Sequence, residues 1–262
     1  MSNRIDTLEA TLAMLKRLEK KGVRSVYLDG VEIPNGAASA APAAASAFEP
    51  ARATPPPSPV AATPRPASAS VVAPASAATV AKLAELAQTV SVCTRCALHA
   101  TRKQTVFGVG NPHAKLMFIG EAPGADEDAQ GEPFVGRAGQ LLNKIIAAMG
   151  MTREEVYIGN ILKCRPPQNR DPLPSEVECC EEYLRAQIAL IQPKYICALG
   201  RIAAHWLLKT EAPLGALRAQ THTYEGIPVI VTYHPAALLR NPGFKAPCWE
   251  DMKKLMALLK DA

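Results

Sequence analysis

The chain has 262 residues, a net charge of +5 and seven cysteines. That length holds one α/β domain of ordinary size plus a tail; no apolar run reaches the ~18 residues of a membrane span and no signal peptide opens the chain, so a cytoplasmic protein without membrane association is expected. The mildly basic balance permits nucleic-acid binding without demanding it, and seven cysteines in a cytosolic chain point to metal or redox chemistry rather than disulfides.

Residues 1–35 carry one predicted helix, Asp6 to Lys21, with Leu8, Leu12, Leu15 and Leu18 on one side, and a short strand over Tyr27–Ile33. Such a helix docks on a protein partner or on its own domain. From 36 to 79 the composition collapses to Ala, Pro and Ser, as in Ala53-Thr54-Pro55-Pro56-Pro57-Ser58-Pro59. With almost no large apolar residue to bury, this segment is expected to be a disordered, partly extended linker. The remaining domain, 80–262, opens with a helix over Val80–Val92 that delivers Cys93-Thr94-Arg95-Cys96.

From Lys115 onward, strands and helices alternate. Strand Leu116–Ile119 leads to helix Ala138–Met149, and Thr152 with Glu155 forms a capping box on a short turn. Strand Val156–Gly159 ends at Asn160. A proline-rich loop, Cys164 to Pro174, ends at Ser175, with Glu178 as a second capping box for a helix reaching Ile191. Strand Tyr195–Leu199, helix Ile202–Leu208, strands near Leu217–Tyr224 and over Val229–Tyr233, and a closing helix Trp249–Leu259 follow. This alternation predicts an α/β fold, a largely parallel sheet covered on both faces.

The loop after the first of these strands stands out: Gly120-Glu121-Ala122-Pro123-Gly124-Ala125-Asp126-Glu127-Asp128, running on to Pro133-Phe134-Val135-Gly136. A strand, a glycine- and carboxylate-rich loop and then a helix is where an α/β sheet places its ligand. The acidity argues against a phosphate cradle, which needs bare amides and a lysine. An acidic surface turn accounts for the same residues.

Cys93 and Cys96 form a CxxC pair, and Cys164 and Cys180 lie beside a loop and a helix start. Four thiolates suit a zinc ion or an iron–sulfur cluster. A thioredoxin-type pair fits less well, because this CxxC follows a helix. Cys179 competes with Cys180, since adjacent helical side chains point about 100° apart and only one faces the site. Cys197 and Cys248 read as small apolar residues, and His99 as a surface histidine.

At the other end of the domain, His234 follows a strand and is held by Pro235, the best placed of the five histidines for catalysis. His205 reads as a core residue, His113 and His222 as surface. Leu238, Leu239 and Arg240 form an apolar tip with a cation, suited to wedging into a base stack while the arginine meets phosphate. A helix start with buried leucines explains them as well.

In this order and spacing, Gly120-Glu121-Ala122-Pro123-Gly124, Pro133-Phe134-Val135-Gly136, Asn160, Cys164-Arg165-Pro166-Pro167 and His234-Pro235 through Asn241-Pro242 resemble the family-4 uracil-DNA glycosylases, the iron–sulfur branch of that superfamily. The resemblance covers roughly Leu83 to Leu259. It implies a three-layer α/β/α fold with a central, mostly parallel four-stranded sheet. It also implies a monofunctional hydrolase that cuts the N-glycosidic bond of deoxyuridine in DNA and leaves an abasic site. Cys93, Cys96, Cys164 and Cys180 then match the ligands of a [4Fe–4S] cluster; Cys180 is chosen because two residues separate it from Tyr183-Leu184. Phe134 matches the stacking position and Asn160 the reader of the pyrimidine edge. His234 matches the group that stabilises charge on uracil O2. Glu121 and Ala122 match ligand contacts, while Glu127 and Asp128 are further candidates for orienting water.

Two other classes remain. A branch of the superfamily traps uracil-DNA covalently through a histidine on an inserted basic loop, but Cys164 to Pro172 carries neither insertion nor histidine. A non-catalytic DNA-binding adaptor has no need of Phe134, Asn160 and His234 together. A monomer acting on uracil-containing DNA is the expectation.

Overall fold

The computed structural model describes residues 74–260. The predicted helix Asp6–Lys21, the strand Tyr27–Ile33 and all but the end of the predicted linker lie outside them. Helix α1 spans Pro74–Ser91, beginning inside the stretch read as linker and before Val80. The strands are β1 (Val109–Gly110), β2 (Leu116–Gly120), β3 (Tyr157–Asn160), β4 (Tyr195–Leu199), β5 (His222–Tyr224) and β6 (Ile227–Thr232). Interleaved with them are α2 (Ala125–Gln130), α3 (Arg137–Ala148), α4 (Pro174–Ile191), α5 (Arg201–Leu208), α6 (Leu214–Arg218), α7 (Pro235–Arg240) and α8 (Lys245–Lys260).

The sheet order is β1-β3-β2-β4-β6-β5. The four inner strands are parallel, and they are the continuously apolar runs that a sheet buried on both faces requires. Two short antiparallel edge strands extend this four-stranded core to six; β1, with two residues, carries too little pattern to be read from sequence, whereas β5 lies within the strand expected near Leu217–Tyr224.

Side chains alternate across the sheet. Met117, Ile119, Ile196, Ala198, Val229 and Val231 face a core shared with α1, α4 and α5. Leu116, Phe118, Cys197, Leu199 and Ile230 face a second core shared with α3 and α8. The result is three layers. The chain leaves β2 for β3 on one side and returns to β4 on the other. The switch therefore lies beside β2, and its carboxyl end is where open sheets of this kind take their ligands. Register brings Gly120 beside Asn160 and Leu199 beside Thr232 at that edge.

Several local readings change. The acidic loop contains helix α2, started by acidic residues Asp126, Glu127 and Asp128 in its first turn, which favour the positive end of the helix. The cap of α4 is Leu173 with Glu176, not Ser175 with Glu178. Pro174 occupies the first helical position, where its missing N–H costs nothing, and the Leu173 N–H donates to Glu176 Oε2 at 2.9 Å. Leu217 lies in helix α6, and only His222–Tyr224 of that stretch is strand. The Thr152 N–H does donate to Glu155, at 2.7 Å.

Candidate active site

A cleft of about 690 Å³ opens along the carboxyl edge of the parallel strands. Glu121, Ala122, Glu127, Phe134, Asn160, His234 and Arg240 all line it. These residues are far apart in sequence, and β2, β3 and β6 deliver them to one place because parallel strands all end at the same edge.

Asn160 closes β3 and is 2% exposed. Its Oδ1 is the one buried side-chain oxygen or nitrogen among the described residues without a hydrogen-bond partner. Leaving such an acceptor unpaired costs about 1–3 kcal/mol, so a cleft residue that keeps one suits a donor that arrives later. Asn160 is held through its backbone: the fully buried Lys163 ammonium donates to the Asn160 carbonyl at 2.8 Å and to Gln187 Oε1 at 2.6 Å. Gln187 in turn donates to the Phe107 carbonyl and the Tyr157 hydroxyl, each at 2.9 Å. Burial pulls Lys163 down to about 8, opposed by the nearby Cys180.

Phe134 lines the same cleft close to Asn160. It sits in the left-handed region at φ 55°, an uncommon conformation for an aromatic residue. The Glu127 carboxylate over-determines that turn. Its Oε1 accepts the N–H groups of Val135 and Gly136 at 3.0 and 3.1 Å, and its Oε2 accepts that of Gly124 at 3.1 Å. Glu127 thus ties the two glycine-rich motifs together and reads as a positioning residue rather than a free base. The Arg153 guanidinium donates to the Pro133 carbonyl just upstream. Gly120 has no room for a side chain, since a Cβ there would lie 2.4 Å from Asn160 Oδ1 and 2.6 Å from Phe134 Cζ.

His234 caps α7: its Nδ1 accepts the Ala236 N–H at 3.2 Å. Nδ1 is thereby assigned as unprotonated, which places the proton of a neutral ring on Nε2. Burial pulls the imidazole down to about 4, helped by the Arg240 charge and opposed by Glu127. The ring is therefore neutral at pH 7. Its centroid lies 5.5 Å from that of Phe134, tilted by 34°. Gly200, at φ +90°, lets the end of β4 pass close by, since a Cβ there would be 2.9 Å from His234 Cβ.

The carboxylates separate. Burial raises Glu121 to about 7, with Asp171 adding to the rise and Arg201 opposing it. Asp128 is 2% exposed and accepts the Lys103 N–H at 2.9 Å. That turns it from the cleft and removes it as a water-orienting candidate. The apolar tip also divides: Leu238 is 2% exposed and packs inward, whereas Leu239 is 39% exposed. Leu238 cannot wedge from there; Leu239 and the exposed Arg240 stand at the tip.

On the far side of Lys163, Cys93, Cys96, Cys164, Cys179 and Cys180 line a second small cavity with Arg102. Arg102 Nη1 donates to Cys164 Sγ at 3.2 Å and the Lys163 N–H to Cys180 Sγ at 3.4 Å. Such donors favour thiolates. Burial pushes the Cys180 thiol up to about 11, and the Lys163 N–H and charge oppose the rise. Cys179 instead donates its S–H to the Arg95 carbonyl at 3.3 Å. Among the described residues no group of three or more His, Cys, Asp or Glu side chains converges as a site for a single metal ion. His99 is exposed, with Nδ1 2.7 Å from the Cys96 carbonyl. His113 is exposed, and His205 and His222 are half-buried against carbonyls of Ala212 and Leu217.

Lys163, Gln187, Tyr233 and Phe244 belong to none of the sequence motifs above. A lysine inside Ile161-Leu162-Lys163-Cys164, an otherwise buried run, was the available signal for the first.

Residues 107–253 match the model of the uracil DNA glycosylase superfamily. A type-4 uracil-DNA glycosylase of Archaeoglobus fulgidus is 43% identical over 181 residues, 66% of this chain and 91% of that protein. One of Thermotoga maritima is 40% identical over 179 residues, 67% of this chain and 93% of that one. A type-5 uracil-DNA glycosylase of Pyrobaculum aerophilum is 32% identical over 154 residues, 51% and 66% of the two chains. With the motifs gathered at one sheet edge and near-complete coverage of the type-4 relatives, the chain belongs to the type-4 branch of the uracil-DNA glycosylase superfamily.

Proposed function

We propose that the protein hydrolyses the N-glycosidic bond of deoxyuridine in DNA, releasing uracil and leaving an abasic site, as a monomer and within base excision repair. The observation that carries this reading is the unpaired Oδ1 of Asn160, a residue of the cleft that Phe134 and His234 also line. A cleft of about 690 Å³ has room for a pyrimidine extruded from the stack. Uracil N3–H supplies the donor that Oδ1 lacks, and the Asn160 amide can donate to O4. Phe134 stacks on the base.

As the bond breaks, its electron pair leaves with uracil and negative charge grows on O2. The neutral His234, with its proton on Nε2, donates a hydrogen bond to that oxygen and strengthens it in the transition state. Glu121, which lines the cleft, orients the water whose oxygen bonds to C1′ of the oxocarbenium-like sugar; the proton that this water loses passes to solvent through its carboxylate. Glu127 keeps Phe134 and the first loop in register throughout.

Cys93, Cys96, Cys164 and Cys180 are proposed to hold a [4Fe–4S] cluster. Four cysteines spread round one cavity, with amide and guanidinium donors on their sulfurs, fit a cubane better than one ion. When bound, the cluster supplies a structural brace between α1, the Cys164 loop and α4. The described residues hold no helix long and apolar enough to cross a membrane, and a chromosomal substrate is reached in the cytoplasm. Residues 1–35 are proposed to contact a protein partner.

The test is incubation with a uracil-containing oligonucleotide, alkali cleavage and detection of free uracil. His234→Ala is expected to slow single-turnover excision about 10²–10³-fold with little change in DNA affinity. Asn160→Asp is expected to damage recognition, because a carboxylate only accepts. Near-normal excision by either variant rejects the assigned pocket.

A further inference from the structure

Tyr233 and Phe244 belong to neither hydrophobic core, nor to the residues packed against them. Both line the cleft. Their rings lie stacked, with centroids 4.4 Å apart and planes 7° from parallel. The Arg218 guanidinium sits 4.2 Å above the Tyr233 ring. Two groups so close to one centroid cannot share a face, so Arg218 and Phe244 cover opposite faces of Tyr233.

The inner end of this stack is fixed. Arg218 Nε donates to Asp251 Oδ2 at 2.7 Å, Nη1 to the Tyr233 hydroxyl at 3.2 Å and Nη2 to the Pro247 carbonyl at 2.7 Å. Asp251 is 2% exposed and also accepts the Thr232 hydroxyl at 2.8 Å. Thr232 is the last residue of β6, directly before Tyr233 and His234. The outer end carries no further ring or cation: among the described residues none but Tyr233 stands over Phe244, which is half-buried where it lines the cleft. Phe244 ends a short 3₁₀ turn, Pro242–Phe244, whose entry is set by Asn241 Oδ1 accepting the Gly243 N–H at 3.1 Å. The exposed cation Arg240 precedes that turn and lines the same cleft.

A pre-ordered stack of cation and two rings, ending on a half-exposed ring at a cleft wall, is completed by one more flat group. A nucleobase has the shape and the π-face, and base–aromatic stacking is sequence-tolerant. We propose that Phe244 is the stacking platform for the base next to the extruded deoxyuridine, on a locally unpaired strand, with Arg240 meeting the intervening phosphate. This rests on the reading that the cleft takes uracil-DNA. It adds a second nucleotide subsite beside the uracil pocket and makes single-stranded DNA the better-held substrate.

The experiment places 2-aminopurine directly 5′ or 3′ of a non-cleavable 2′-fluoro-deoxyuridine in a single-stranded oligonucleotide. Binding to the unaltered protein should quench the fluorophore on one side. Phe244→Leu should abolish the quench and weaken binding by roughly 5–150-fold, the 1–3 kcal/mol of one base–aromatic stack, and Phe244→Tyr should restore both. Replacing the neighbouring nucleotide by an abasic spacer should lower excision efficiency for the unaltered protein and for Phe244→Tyr, but not further for Phe244→Leu. Quenching that persists in Phe244→Leu, no quench on either side, or an equal spacer penalty in all three proteins overturns the proposal. Absence of uracil release from any substrate by the unaltered protein would instead reject the underlying reading.

Discussion

Glu121→Gln is expected to stabilise the protein and slow it, in a pH-dependent way that can be worked out beforehand. In the folded chain the Glu121 carboxyl titrates at about 7, because burial disfavours its charge and Asp171 repels it more than Arg201 compensates. In the unfolded chain it titrates near its ordinary value of 4.5. The folded state therefore binds this proton more tightly. Stability falls as pH rises from about 4.5 to about 7, and the full penalty stands above that window. The gap corresponds to about 3 kcal/mol; solvent reaching this half-buried carboxyl reduces it to about 2. Glutamine has a similar shape and never ionises. Thermal unfolding of the two proteins should coincide near pH 4.5, and the variant should melt roughly 4–8 °C higher at pH 8. Excision should behave in the opposite sense. The unaltered protein should gain activity through a limb centred near pH 7 as the water-orienting carboxylate forms. The variant should lack the limb and run about 10²-fold slower above it. His234 titrates at about 4, too low to supply that limb. A stability advantage of the variant over the unaltered protein that is no larger at pH 8 than at pH 4.5, or a variant that keeps the limb, refutes the reasoning.

Gly120→Ala should cost about 1–3 kcal/mol of stability and lower kcat/KM at least tenfold, because its Cβ meets both Asn160 and Phe134; unchanged kinetics would mean that those side chains yield freely. Cys180→Ala should strip iron and sulfide, near four each per chain in the unaltered protein, while Cys179→Ala should keep them. Metal analysis reversing that order would exchange the two cysteines. Lys163→Met removes the donor shared by the Asn160 carbonyl and Gln187. With two buried acceptors left unpaired, about 2–4 kcal/mol of stability should go, and affinity for a uracil analogue should fall in protein that retains its iron. Unchanged analogue affinity would remove Lys163 from the positioning of Asn160.

Much of this protein was legible before its structure, and for a definite reason. Parallel strands buried on both faces are written as short apolar runs, so Leu116–Gly120, Tyr157–Asn160 and Tyr195–Leu199 announce themselves. The residues following them necessarily gather at one edge. Glu121, Asn160 and His234 needed only that rule to be placed in one cleft. What a side chain does once there depends on what stands across from it in space, and no local pattern records that. Glu127 looked as catalytic as Glu121, until three backbone N–H groups from two motifs were seen to occupy it. Asp128 was claimed by Lys103, 25 residues away. Leu238 and Leu239 are adjacent and chemically alike, yet helix α7 turns one inward and the other to solvent. Lys163 meets Gln187 only because α4 packs over β3, and Phe244 reaches Tyr233 only because the turn after α7 folds back along the cleft. Residue type and order determined which chemistry the chain carries; tertiary packing, by deciding which polar groups find partners, determined which of those residues are left free to use it.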